Sequence, residues 1–159
     1  MRSLIVLSCW AGVALVAGCA DSPAPPARIT FSANGRGVVV SPFLRCDAQL
    51  TQCTRDESAV GFLPVPPGAA VDVSVPDEVA ATPWSVVIGY RGADGVDRDQ
   101  TVGTFTDGSQ RAVTVRTPAA DDILRTVEVK QAGAAAAEDP DGQLQVGTQA
   151  VWSLQVQAP

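Results

Sequence analysis

Apolar and polar residues alternate along most of the chain after Arg28, with the period of two that is typical of β-strands. Val71, Val73 and Val75 fall on one face of such a strand, with polar residues between them. A helical period is absent after the N-terminal segment, apart from one predicted turn at 77–81. The alternation predicts strands at 29–33, 38–42, 71–75, 84–90, a segment ending near 105, 111–116, 123–130 and 152–156.

These strands predict an all-β domain at residues 28–159. Turn-forming residues separate the strands at intervals common in sandwiches, and Asn34-Gly35 predicts a type I′ hairpin. The expected fold is an immunoglobulin-like, two-sheet antiparallel sandwich of about seven to eight strands. Two segments lack the alternation. We expect 43–68 to be a long irregular connection and 132–142 to be a mobile low-complexity insertion.

The N-terminal segment has a different pattern. Arg2 precedes an uncharged run, Leu4 to Val16, of about 13 residues, which is short for a membrane-spanning helix. The run ends in Leu15-Val16-Ala17-Gly18-Cys19, a bacterial lipobox. We therefore expect residues 1–18 to be a lipoprotein signal peptide and Cys19 to become the lipidated N-terminus. Residues 19–27 then form a proline-rich tether, and the domain lies at the extracytoplasmic face of the cell membrane.

Charge and composition narrow the range of partners. The chain carries 17 acidic and 11 basic residues, a net charge of −6, with no basic cluster. Nucleic acid and anionic lipid headgroups are therefore poor candidates for binding. Membrane contact is expected through the N-terminal lipid, and partners are expected among envelope proteins or other envelope components. The oligomeric state does not follow from these features.

Cysteine usage predicts one disulfide. Cys9 leaves with the signal peptide and Cys19 is acylated, so Cys46 and Cys53 remain in an oxidising compartment. Their separation is not Cys-x-x-Cys, which argues against a redox-active pair. Two thiolates without a histidine also make a poor metal site, so we expect neither a metal nor a cofactor.

Catalytic groups are scarce. The chain contains no histidine, which excludes a Ser-His-Asp triad and a typical zinc hydrolase site. The carboxylate pairs Asp56-Glu57, Asp77-Glu78 and Asp121-Asp122 could in principle cleave glycosidic bonds, but each lies beside a turn or strand end, where solvated acids are common. We therefore expect the protein not to be an enzyme.

The irregular segment 43–68 is the predicted partner surface. Long loops in compact domains are usually functional or disordered, and its disulfide and prolines favour order. The candidate contact residues are its apolar side chains, namely Phe43, Leu44, Phe62, Leu63 and Val65. The alternative is that these side chains cap one end of the core.

Several short motifs fall in an order that resembles a family of small, uncharacterised lipoproteins from mycobacteria and related actinobacteria. The motifs are Leu63 to Gly68, Val75 to Val79, Pro83-Trp84 to Tyr90, Pro118 with Asp122 to Leu124, and Val127 to Val129. The resemblance covers roughly 29–130 and also includes the cysteine pair. It implies an envelope location and supplies no catalytic residues.

The expected function is thus a non-catalytic binding or interaction role for a membrane-anchored lipoprotein of the cell envelope. Two alternatives remain. One is a carrier of a lipid or small hydrophobic ligand, which would need an apolar cavity between the sheets. The other is a polysaccharide-active enzyme that uses two carboxylates about 5 to 10 Å apart.

Overall fold

A computed structural model describes residues 25–138 and 144–158, which form a two-layer β-sandwich. Cys19 and the signal peptide lie outside the described residues. Strands β1 to β6 are Ile29–Ala33, Arg36–Val40, Leu44–Cys46, Cys53–Arg55, Gly61–Pro64 and Val71–Ser74. Strands β7 to β11 are Trp84–Arg91, Asp97–Phe105, Ala112–Val115, Ile123–Glu138 and Leu144–Gln157. The α-helix of the described residues, α1, spans Asp77–Ala80, where the sequence predicted one helical turn.

The smaller sheet has four strands in the order β2-β1-β6-β9. The larger sheet has seven, in the order β4-β3-β11-β10-β7-β8, with β5 also paired to β11. In the described ranges, β5 and β11 pair in parallel and all other strand pairs are antiparallel. The predicted all-β sandwich is therefore confirmed, while its narrower immunoglobulin-like form stays a prediction.

The core lies between the two sheets. Phe31 from the smaller sheet and Trp84, Ile88, Trp152 and Leu154 from the larger sheet are all fully or almost fully buried. Trp84 and Trp152 therefore both belong to the core, where large aromatic side chains bury the most apolar surface. The ring of Trp84 also packs against Phe105, with centroids 4.3 Å apart.

The prediction of a long irregular connection at 43–68 is wrong, because this segment contains β3, β4 and β5. Each of these strands has only three or four residues, which is too short to show an alternating pattern. A 3-10 turn at Glu57–Ala59 separates β4 from β5. The segment crosses one edge of β11, where β3 pairs with Ala150–Val151 and β5 with 154–157.

The prediction of a mobile insertion at 132–142 is also wrong for residues 132–138. Residues 132–138 continue β10, and Ala132 and 136–138 pair with β11. Alanine has a low preference for strands, so its run of residues did not predict one there. The ladder continues because β10 and β11 form one long hairpin, with register shifts between 131 and 136. The rest of the predicted insertion, 139–142, lies outside the described residues.

Candidate interaction surface

A groove of about 470 Å³ runs along the open edge of β2. We call it the edge groove. The strand β2 forms one wall, and the segment between β4 and β5, with the start of β5, forms the other. Its lining residues are Val38, Val39, Val40, Ser41, Asp56, Ser58, Ala59, Val60, Gly61 and Phe62.

The backbone of β2 offers hydrogen-bonding groups to this groove. Asn34 and Gly35 have φ values of 51° and 75°, which is the predicted type I′ turn. A two-residue turn of this type is closed by a hydrogen-bonded pair, here Ala33 and Arg36. Because pair types alternate along an antiparallel ladder, Gly37 and Val39 direct their N–H and C=O groups away from β1. In the described part of the chain, β2 pairs only with β1.

Two large apolar side chains beside this edge are exposed to solvent. Val39 is 50% exposed and Phe62 is 57% exposed, and both line the edge groove. Phe62 points outward because side chains alternate along β5, where Gly61 and Leu63 are buried. Gly61 packs against β2 so closely that a Cβ atom there would collide with the side chain of Val40. The two walls of the groove are thus held together by close packing at its base.

The five predicted contact residues do not form one surface. Leu63 and Val65 are only 3% and 5% exposed and belong to the core, as the alternative of core capping expected. Phe43 and Leu44 are half-buried on the β3 side, where the Arg55 guanidinium lies 4.9 Å from the Phe43 ring centroid. Phe62 alone is well exposed. The predicted surface is thereby corrected to Phe62 with the neighbouring edge of β2.

Asp56 places negative charge at one end of the groove. Hydrogen bonds from the Ser58 hydroxyl and the Ser58 backbone N–H, at 2.6 and 2.9 Å, hold the pKa of Asp56 below its ordinary value. The carboxylate is therefore ionised at neutral pH. Asp56 lies near the Val40 end of β2, because its backbone N–H donates to the carbonyl oxygen of Phe43 at 2.9 Å, whereas Arg36 lies at the other end of the strand.

A second opening of about 460 Å³, the tether cleft, lies where the chain enters the domain. Pro26 and Ala27 form one side, and Trp152 forms part of the wall. The Trp152 indole Nε1–H donates to the carbonyl oxygen of Ala27 at 3.0 Å, so the end of the tether is fixed to the core. The other lining residues are Pro42, Arg45, Cys46, Asp47, Gln52, Thr54, Gln131, Gln149 and Ala150.

The disulfide between Cys46 and Cys53 forms as predicted and borders the tether cleft. The two cysteines lie directly opposite each other in the β3–β4 pair. The loop between them is further closed by Asp47, which accepts hydrogen bonds from the Thr51 hydroxyl and backbone N–H. Leu50 from this loop packs over Gly133 of β10. The disulfide and the Leu50 contact therefore hold β4 and the loop against the rest of the larger sheet.

The acidic side chains are mostly engaged by neighbouring groups. Asp122 is buried, accepts a hydrogen bond from the Ala119 backbone N–H at 3.0 Å, and lines one opening together with Asp94 and Arg98. Asp94 and Asp97 bind Arg98 and Arg91 in the β7–β8 hairpin, and these hydrogen-bonded partners hold the pKa of both acids below its ordinary range. Asp77 pairs with Arg111 at the start of α1. Within 25–138 and 144–158, no three acidic or cysteine residues form a group that could hold a metal ion.

Comparison with known proteins adds a family. The model of DUF2771, described as a protein of unknown function, matches residues 22–157. The chain belongs to the DUF2771 family. The match runs from the tether to the end of β11 and so includes both the edge groove and the tether cleft. No curated protein and no solved structure matches the chain.

Sequence reasoning missed the part that β2 contributes to the surface of the DUF2771 domain. The available signal was Gly37, a glycine inside a short strand, which often marks close approach by another backbone. The part of the chain that the structure describes contains no helix with the length and hydropathy of a membrane span.

Replacing both Cys46 and Cys53 with serine is expected to lower the free energy of unfolding by about 2 kcal/mol without loss of the fold. The expected loss of stability is modest because the loop that the disulfide closes is short and is already restrained by the hydrogen bonds of Asp47. Denaturant unfolding followed by circular dichroism measures the change. Reduced wild-type protein is the control and should unfold at the same midpoint as the double variant. A loss above about 4 kcal/mol would show that the loop holds core residues in place.

Proposed function

We propose that this protein is a lipid-anchored protein of the extracytoplasmic membrane face that binds another envelope component without catalysis. Cys19 carries the lipid, residues 19–27 form the tether, and the sandwich presents the edge groove. The lipobox and the uncharged run before it support the anchor. The related proposal that this DUF2771 member is an actinobacterial lipoprotein rests on the motif resemblance described above.

The observation that carries the binding role is the exposure of Phe62 beside the open edge of β2. Open strand edges are ready sites for pairing with another chain, and proteins usually protect them. Here the edge lies in a groove whose walls carry Val39 and Phe62, both at least half exposed. Backbone groups give such a site affinity, and side-chain pockets give it specificity.

The alternatives have less support. A hydrophobic-ligand carrier needs room between the sheets, and Trp84, Trp152 and Phe31 occupy that layer in the described domain. A polysaccharide-active enzyme needs two cooperating carboxylates. Asp94 and Asp97 are each engaged by an arginine, and Asp56 is bonded to Ser58. No specific observation favours either alternative.

A photo-reactive amino acid at position 62, in the full-length protein in intact cells, tests the binding role. We expect covalent adducts of higher mass at this position. Val96 is the matched control, because it is 51% exposed but lies in the β7–β8 turn, on a different sheet edge from the groove. Absence of adducts at 62, or equal adducts at both positions, would remove the edge groove as a binding surface.

A further inference from the structure

We propose that the edge groove binds the same groove of a second copy of this chain, with β2 pairing antiparallel to β2. This inference rests on the proposed function, because it names the occupant of the same site. Three observations support it: the hydrogen-bond register of β2, the glycine at position 37 inside this strand, and the opposite charges at the two ends of β2.

The register of β2 suits pairing with itself. Gly37 and Val39 together direct two N–H and two C=O groups away from β1, at the open edge of β2. An antiparallel pair with its two-fold axis at Val38 places Gly37 opposite Val39 of the second copy, and the reverse. All outward backbone groups of both β2 strands then form four hydrogen bonds. A shift of the axis to Gly37 or Val39 would leave some of these groups without a partner within β2.

Gly37 has no evident role in a single copy. A Cβ atom there would lie 3.6 Å from the Phe31 carbonyl oxygen and 3.7 Å from the Ser32 Cβ, which are ordinary contacts. Its φ is not among the positive values of the chain. Glycine inside a strand nevertheless lowers stability. In the paired arrangement, Val39 of the second copy lies beside Gly37 on the outer face of the joined sheet, and part of its apolar surface packs against this bare stretch of backbone.

Antiparallel pairing also brings opposite charges together, because Arg36 and Asp56 lie at opposite ends of β2. Arg36 is exposed and forms no salt bridge among the residues described. Antiparallel pairing places it opposite Val40 of the second copy, at the end of the groove that Asp56 lines. Two such Arg–Asp encounters form, one at each end. A parallel pair would instead place the two Arg36 residues side by side.

The larger sheets of the two copies also approach each other. A two-fold axis through Val38, perpendicular to the smaller sheet, joins the two four-stranded sheets into one sheet of eight strands. The larger sheets lie below, so the segments at 58–62 face each other across the axis. Phe62 belongs to these segments and therefore lies close to the second copy. The interface is isologous and closes as a dimer without continuing into a filament.

The interface is small, so we expect a weak dimer for the protein in dilute detergent. One five-residue strand with two apolar side chains per copy is below the size of a standard stable interface. Anchoring both copies in one membrane raises their effective concentration and favours the pair.

A Val38→Cys variant of the full-length protein tests the register in intact cells. The two residues at the axis form a non-hydrogen-bonded pair with Cα atoms about 4.5 Å apart, within reach of a disulfide. We expect a reducible dimer on non-reducing gels. Val96→Cys is the control and should give only background dimer, because it lies on a different edge.

Two further variants in the Val38→Cys background separate strand pairing from chance collision. Val39→Pro removes the N–H that points into the groove and leaves the β1–β2 ladder intact, so the dimer should fall at least tenfold. Val39→Thr keeps the N–H and the branched shape, so most of the dimer should remain. Equal dimer in both variants, or no dimer above the Val96→Cys background, would overturn the proposal.

A second measurement leaves β2 unchanged and covers the case in which Val38→Cys fails to fold. Two copies with different epitope tags and a photo-reactive residue at position 62 are produced together. We expect adducts that carry both tags. Adducts with other proteins alone would overturn self-pairing and leave the binding role intact, whereas no adduct of any kind would remove both.

Discussion

Replacing Cys19 with alanine is expected to release the domain from the membrane fraction while it stays folded. The physical reason is that two acyl chains on Cys19 bury many methylene groups, at about 0.8 kcal/mol each, whereas one chain binds only reversibly. Cell fractionation measures the release. Metabolic labelling with a fatty-acid analogue should mark the wild-type protein and leave the variant unlabelled.

The matched control for this experiment is Cys9→Ala. Cys9 lies within the predicted signal peptide, so its loss should change neither the labelling nor the membrane attachment of the mature protein. The Cys46–Cys53 disulfide reports on folding in both variants. Lipid label on the Cys19→Ala protein would show that the lipobox prediction is wrong.

The largest loss of stability is expected from Trp152→Ala, at about 3–5 kcal/mol. Trp152 is one of the largest fully buried side chains and also holds the end of the tether through Ala27. Removing the indole leaves a cavity between the sheets and frees the carbonyl oxygen of Ala27. Denaturant unfolding measures the first effect, and proteolysis near residue 27 measures the second.

Trp152→Phe separates these two effects. The phenyl ring keeps much of the buried surface, but it lacks the N–H that donates to Ala27. We expect a smaller loss of stability than for alanine, together with the same gain in cleavage near the tether. If cleavage does not increase, the hydrogen bond does not hold the tether.

Most strands were predictable because their side chains divide into one buried and one solvated face. Val71 and Val73 of β6 are buried while Asp72 and Ser74 are exposed, as the alternation indicated. The same rule failed for β5. Gly61, Phe62, Leu63 and Val65 are all non-polar, so the sequence could not tell which of them would face the core. Phe62 and Leu63 therefore received the same prediction, although one is exposed and the other buried.

The edge groove could not be predicted for a related reason. It depends on which strand lies at the edge of the smaller sheet, and on β5 packing against β2 from the other layer. Both are properties of strand order, which local patterns do not encode. The disulfide was predictable because counting cysteines needs no knowledge of strand order.

The position of β11 in the larger sheet determines when that sheet can be completed during folding. β11 is the last strand along the chain, yet it lies inside the larger sheet and pairs with β10, β3 and β5. The larger sheet cannot close before the chain has been made through residue 157. Until then β3 and β5 lack the neighbour that connects them to the rest of the sheet. The larger sheet therefore forms late, through contacts between distant parts of the sequence, and such contacts slow folding.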